Sequence, residues 1–479
     1  MTVSSLGVGS NLDAETIITK LMAAEGKPLT VLKTREAGLQ NKVSLFGKVQ
    51  SLYADLQSAS RDLASETLWG LTVANSSNAA AVAVSSGSNA PAGNYLVDVQ
   101  QLASSQTVTA AALPTAASTL SSGTLTIELG SWTGTPVSGF TAKTGSTALT
   151  ITIAAGETSL SAIRDKINSA GAGVSASIIT DRSGARLSLR STASGAENGF
   201  RVTAAESADD GNAATGLSAL GYNALAASPT VLNQSAQDAL ASINGIAVTS
   251  ASNTLDGVVD GLSLTLLAPT TLPASVAVSA DGAATRTAID KFVTAFNALA
   301  TFIHDQTKYN PDAKTASPLQ GNRTVLGLQS QLRNVFNQAS SASTVYTTLS
   351  DVGISMKADG TLETKGSKLD AALINRSELK KLFAVSGADS ASSGFMVRFR
   401  NLTDAALGTG GALEGATNSL QTQIKNISKS EEAMQRRLEA TEKRLREQYQ
   451  ALDKQMANLN SLSSYVTAQI AAWNKTGNN

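Results

Sequence analysis

The chain has 479 residues, with 37 lysines and arginines against 37 aspartates and glutamates, one histidine, no cysteine and 4% aromatic residues. That length exceeds one ordinary hydrophobic core and asks for two to four domains, while the charge balance gives no pull toward nucleic acid or an anionic membrane surface. Without thiols there are no disulfides, thiolate metal sites or cysteine nucleophiles, and so few aromatics suit thin sheets and long helices better than an enzyme core around a deep apolar pocket.

The first eleven residues carry no basic patch before an apolar run, and the first basic residue is Lys20. No cleavable secretory leader is visible, and no stretch reaches the length of a membrane span. The expectation is a protein that is either cytoplasmic or exported by a route that reads no such leader. Residues 1–70 read as helical. Asp13 caps a short helix with Ile17, Ile18, Leu21 and Met22 on one side, and Gly26 with Pro28 marks its stop. In the longer helix that follows, Leu32, Leu39, Phe46 and Tyr53 recur at intervals of seven, beside a second series of Val49, Leu56 and Leu63. Two adjacent stripes at that spacing suit a coiled coil or a bundle.

From about 71 to 282 the texture changes to short alternating strands separated by Gly, Ser and Asn. Tyr95, Val97 and Val99 share a face, as do Leu125, Ile127 and Leu129, then Leu149, Ile151 and Ile153, then Val174, Ala176 and Ile178. Leu160, Ile163 and Ile167 sit at helical spacing and stop at Gly171 or Gly173, which predicts one short helix on a sheet. Asn244-Gly245 between apolar neighbours predicts a tight hairpin, because both turn residues tolerate positive φ.

Helical periodicity returns near 283 with Ile289, Phe292, Val293, Phe296, Leu299 and Phe302, closed by Asn310-Pro311. Val325, Leu328, Leu332 and Val335 make a second helix, the stretch 354–362 around Asp359-Gly360 a hairpin, and Leu369, Leu373 and Ile374 a further helix. From Ile424 a seven-residue register runs through Leu438, Leu445, Leu452, Leu459, Val466 and Trp473, with Ile427, Met434 and Leu462 as companions. The positions Glu431, Thr441, Gln448 and Gln455 are polar, while Tyr449, Met456 and Ile470 lie one step further round, so the apolar face drifts. Glu432 with Arg436, Glu439 with Lys443 and Glu442 with Arg446 are spaced to support the exposed face, each contributing roughly 0.2–0.5 kcal/mol. The fold class expected from this order is α+β multidomain: a helical coiled-coil leg and a helical domain formed by both chain ends, with β-rich head domains inserted in the middle.

Catalytic chemistry has little to stand on. His304 lacks a second histidine for zinc and a glycine-flanked serine for a triad. Asp209-Asp210-Gly211 and Asp359-Gly360 lack the alternating ligands and closing glutamate of a calcium loop and read as turns. The expectation is no enzyme, no cofactor and no metal; a carboxylate pair acting on glycans stays open, since such pairs converge only in the fold.

The opening Ser4-Ser5-Leu6-Gly7-Val8-Gly9-Ser10-Asn11-Leu12-Asp13, with Leu21-Met22-Ala23-Ala24-Glu25 and Pro28-Leu29, resembles the N-terminal motif of flagellar filament-capping proteins of the hook-associated protein 2 family. Ile243-Asn244-Gly245 with Gly261-Leu262-Ser263-Leu264-Thr265-Leu266, Phe292-Val293 with Phe296-Asn297-Ala298-Leu299, and Asp359-Gly360-Thr361-Leu362 follow in matching order. Arg446-Glu447-Gln448-Tyr449-Gln450-Ala451-Leu452-Asp453 closes the match, and the outer β segment matches least specifically.

The resemblance implies a leg of residues 1–45 with 425–479, a helical domain of 46–72 with 283–424, an inner β head of 73–105 with 233–282 and an outer β head of 106–232. It implies a cap at the distal tip of the bacterial flagellum, exported by the flagellar type III route, that folds and retains flagellin. Its partners would be flagellin, hook-filament junction proteins, an export chaperone at the C-terminus and further copies in a ring of roughly five, with neither nucleic acid nor membrane insertion. The assembly interface expected from the stripes is Leu32, Leu39, Phe46, Leu438, Leu445, Tyr449, Leu452, Leu459 and Val466. Other readings are another axial component, such as a junction protein or flagellin, and a secreted glycan-acting enzyme or adhesin; an adhesive side role of the head is compatible with capping.

Overall fold

A computed structural model describes residues 13–476; the rest of the opening motif, residues 4–12, and the Trp473 side chain lie outside the described residues. The helices in chain order are α1 (Ala14–Glu25), α2 (Lys27–Ala64), α3 (Glu66–Gly70), α4 (Leu160–Ala170), α5 (Gly282–Thr307), α6 (Arg323–Asn337), α7 (Gly366–Ile374), α8 (Arg376–Ala384), α9 (Phe395–Leu407) and α10 (Ala412–Thr476). The chain divides into two compact units, residues 1–68 with 282–479 and residues 69–281.

In the helical unit, Asp13 caps α1 by accepting from the Thr16 N–H at 3.0 Å. The stop foreseen at Gly26 is one residue long: Gly26 keeps a right-handed conformation and α2 starts at once, with Pro28 in its first turn, where a missing N–H costs nothing. The second half of α2 buries Phe46, Val49, Tyr53, Leu56 and Leu63 against α5 and α9. Phe292 and Phe296 of α5 meet Phe399 of α9 with ring centroids 5.1 and 6.1 Å apart. Such tilted aromatic contacts fix geometry as well as burying area.

Arg398 on α9 is 5% exposed. Its guanidinium donates to the carbonyls of Ser393, Ala339 and Ala391 at 2.9, 3.1 and 2.8 Å and lies over the Phe395 ring, so one buried cation ties two loops to the helix. One expectation fails here: Ile374, placed with Leu369 on an apolar helix face, ends α7 at 88% exposure, while Leu369 and Ala372 make the contact instead. The turn at 357–361 forms as expected, with Gly360 at φ 85° and Asp359 accepting from Thr361 N at 2.9 Å.

In the unit of residues 69–281, one core lies between a five-stranded and a three-stranded sheet. The first runs Thr72–Ser76, Ala274–Ala280, Gly93–Gln101, Ala239–Ile243, Ile246–Ser250, and the second Thr254–Asp256, Leu262–Leu266, Val82–Ser86. Val97, Val99, Leu264 and Val276 alternate inward, as two-step periodicity requires. Asn244 and Gly245, at φ 49° and 82°, turn the hairpin that pairs Ile243 with Ile246.

A second core, with Leu125, Ile127, Ile163, Ile167, Leu187 and Phe200, fills the space between two four-stranded sheets and α4. Ser159 caps α4, and Gly171 rather than Gly173 ends it, in the left-handed conformation. A cluster the sequence reading passes over closes this core. Trp132 packs on Phe140 and Tyr222, and its indole N–H donates to the buried Gln106 side chain at 2.9 Å.

Candidate assembly interface

The residues singled out at the two chain ends come together on α2, α1 and α10. Leu32 and Leu39 are half-buried along the first half of α2, and Phe46 is fully buried where α2 enters the helical core. On α10 the stripe, buried at Ile427 and half-buried elsewhere, runs Ile424, Ile427, Glu431, Met434, Leu438, Thr441, Leu445, alternating steps of three and four. Beyond Leu445 the steps become four and four, and the stripe passes through Tyr449, Asp453 and Met456 rather than through Gln448 and Leu452. A straight α-helix drifts out of a strict heptad in this way. Leu452, Leu459 and Val466 are therefore exposed, at 40%, 58% and 45%.

α1 docks on α10 at the point of drift, with Ala14 and Ile18 buried. Arg446 donates two parallel hydrogen bonds to the Glu15 carboxylate, at 2.8 and 2.9 Å, and a third to Glu442 at 3.0 Å. This fork geometry is the strong form of an ion pair. It holds Glu15 below the usual carboxylate range and raises the Arg446 guanidinium further. Glu442–Arg446 is legible at four-residue spacing, but Glu15 is far from Arg446 in sequence and no local pattern marks it. Glu432 and Arg436 pair at 4.0 Å, whereas Glu439 and Lys443 form no ion pair, their long side chains gaining little from meeting in water.

Between α2 and α10, Ser428 donates to Glu36 at 3.0 Å, and Gln40 donates to the same carboxylate at 3.4 Å. Glu431 lies beside it with Oε1 buried and without a partner. Burial first, then the neighbouring Glu36 charge and a hydrogen bond with the Glu36 side chain that favours the protonated form, push the Glu431 carboxyl above its ordinary range, with Lys33 opposing.

From Asn458 to Ala472 every residue of α10 is exposed. No charged residue occurs between Lys454 and Trp473, and Leu459, Leu462, Tyr465, Val466 and Ile470 stand out of the helix into solvent. A long apolar, charge-free helix end is the kind of surface that marks a protein contact. Among the described residues, no helix is long and apolar enough to cross a membrane.

The β-rich unit carries two clefts, and the carboxylates that line the first are engaged. In a groove of about 710 Å³ between Leu149–Ile153 and α4, Glu157 pairs with Lys166 and Asp165 with Arg164. A polar cleft of about 620 Å³ is lined by serines and Arg190, whose Nε donates to Ser105 at 2.7 Å. The aspartates of 209–211 accept from Gly211 and Asn212 backbone N–H groups at 2.8 and 2.9 Å, the geometry of turns.

Family models described as flagellar hook-associated protein 2 C-terminus, flagellar hook-associated protein 2 N-terminus and flagellin hook IN motif match residues 236–461, 10–106 and 139–193. The chain is 33% identical to flagellar hook-associated protein 2 of Escherichia coli (strain K12), over 98% of both chains. It is 29% identical to A-type flagellar hook-associated protein 2 of Pseudomonas aeruginosa, over 97% of both. A crystal structure of the flagellar cap protein FliD D1-D2-D3 domains from Escherichia coli is similar at a TM-score of 0.60 and 30% identity, covering 79% of this chain and 99% of that one.

Proposed function

The chain belongs to the flagellar hook-associated protein 2 family and is a cap protein of the flagellar filament, and from that premise we propose how its parts divide the work. Residues 1–45 with 425–479 form a leg that reaches toward the filament. Residues 46–72 with 283–424 form the helical domain, 73–105 with 233–282 the inner β head, and 106–232 the outer β head, which is free to carry an adhesive side role. Several copies, roughly five, close into a ring, under which exported flagellin folds and joins. The subunit itself leaves by the flagellar type III route, its C-terminus held by an export chaperone, and settles at the distal tip next to flagellin and beyond the junction proteins. Its work is structural rather than enzymatic.

One observation carries the leg: a helix fixed at its base by α2 and by the Arg446–Glu15 fork ends in an exposed apolar, charge-free stretch. Burying that stretch against helices of neighbouring subunits would hold the cap, and its modest area leaves the contact exchangeable as each flagellin is added. The test is complementation of a cap-deletion strain, scoring filament length and flagellin lost to the medium. The wild-type chain restores filaments with little leakage, and a chain with Leu459→Asp and Leu462→Asp is exported but leaks. Normal filaments from that double variant would overturn the leg assignment. Growth of the pure protein into open filaments would instead favour a junction or flagellin-like role.

A further inference from the structure

Glu431 is the anomaly of the α2–α10 pair. Ile424, Ile427, Met434, Leu438 and Leu445 occupy the same stripe with apolar side chains, as a helix–helix seam requires. In the middle of them stands a carboxylate whose Oε1 is buried without a donor. Its neighbour across the seam is another carboxylate, Glu36, which already takes hydrogen bonds from Ser428 and Gln40. The charged groups that act on Glu431 from α2 are Glu36, which repels its ionised form, and Lys33, which attracts it without forming an ion pair. On α10 itself, Glu432 and Arg436 pair with each other on the exposed side.

We propose that the Glu36–Glu431 layer is a proton-operated release point in the α2–α10 seam: ionised on both sides it loosens the two helices, and a single proton shared between the carboxylates closes them. A protonated Glu431 donates to Glu36, which gives the orphaned oxygen side a partner and removes the like-charge repulsion in one step. A charged layer in a mostly apolar seam lowers stability and fixes register; here the amount it lowers depends on pH. Because the folded seam holds the Glu431 proton more tightly than the separated helices do, the destabilisation is absent below the ordinary carboxylate range and grows as pH rises through the raised value. The seam is therefore tight on the acid side of that raised value and loose on its alkaline side. The proposal concerns contacts within one chain, so it stands or falls independently of what the tip of α10 docks on.

Hydrogen exchange of the full chain, read by mass spectrometry on peptides covering 424–438 and corrected for intrinsic chemistry, tests it. In the wild type, protection falls several-fold from a pH below the ordinary carboxylate range to one above the raised value. Glu431→Gln, whose amide donates to Glu36 without a proton to lose, flattens that dependence and raises protection several-fold at the higher pH. Glu36→Gln flattens it as well. A wild-type profile with no pH dependence, or a Glu431→Gln profile shifted equally at both pH values, overturns the proposal. Carbon-13 titration of the Glu431 side-chain carboxyl in the wild type decides the matter even if a variant misfolds: a midpoint within the ordinary carboxylate range sinks it.

Discussion

The second half of α2 and the far end of α10 carry the same kind of sequence and meet opposite fates. Phe46, Val49, Tyr53 and Leu56 are buried among α5 and α9, whereas Leu459, Leu462, Val466 and Ile470, at comparable helical spacing, stand in solvent. The difference lies in what surrounds them. α2 enters a region where the chain returns three more times, as α5, α8 and α9, each bringing aromatic or aliphatic side chains; the end of α10 extends past the last turn that α1 covers. Periodicity thus reports that a helix has a face, and only the rest of the chain decides whether the partner is internal.

Substitutions that act on one region and spare the other sharpen this contrast. The largest effect belongs to Phe399→Ala, which removes the ring between Phe292 and Phe296. It costs about 3–5 kcal/mol, read as an earlier loss of helical circular dichroism in urea, with the β-rich unit's own transition unmoved. Tyr53→Phe acts in the same core with the opposite sign. The Tyr53 hydroxyl is buried without a hydrogen-bond partner, and burial pushes its pKa up. Deleting it stabilises the helical unit by about 1 kcal/mol, since an orphaned buried group costs more than the shape it fills. A loss of similar size in urea titration would mean that the hydroxyl makes a bond in solution.

Much of the helical unit and both β cores was legible because each face is written locally. The alternation at Val97 and Val99, the Asp13 cap and the Asn244-Gly245 turn need only neighbours in sequence. What escaped depends on distant residues. α9 is a case in between: Phe395, Phe399, Thr403 and Ala406 recur at helical spacing, yet the run is short and interrupted by Arg398 and Arg400, charges that read as surface until Arg398 is seen bonded to three carbonyls. Glu15 is held by a side chain from the opposite end of the chain. At the interface, the heptad reading placed Leu452 on the seam, whereas a straight helix without a partner to bend toward lets the stripe slide to Tyr449 and Asp453.

The Arg446–Glu15 fork ties α1 to α10 about three turns before its bare end, and its removal is a smaller perturbation than a core cavity. Both partners are largely solvent-accessible, so Arg446→Ala leaves global unfolding nearly unchanged, but amides of α1 exchange faster and the variant becomes insensitive to salt where the wild type is not. The pH dependence has a definite sign. Arg446 holds Glu15 below the usual carboxylate range, so its stabilisation is present at and above that range and fades as pH falls through the lowered value. Acid therefore loosens α1 while it tightens the Glu36–Glu431 seam on the same helix. Exchange of α1 and of residues 424–438 moving in the same direction with pH would show that a global process, not these two contacts, controls both.

The smallest effect on stability is expected where the functional effect is largest. Leu459→Asp with Leu462→Asp changes two side chains that stand largely in solvent, so thermal and urea transitions of both units stay within about 0.5 kcal/mol of the wild type. If those residues were buried in the isolated subunit, two buried charges would instead cost several kcal/mol and helix content would fall. An unchanged melt together with lost capping therefore locates the missing partner outside the chain, on the filament or on a neighbouring copy. A destabilised melt would place it inside, and the contrast between the two helices would then be one of degree.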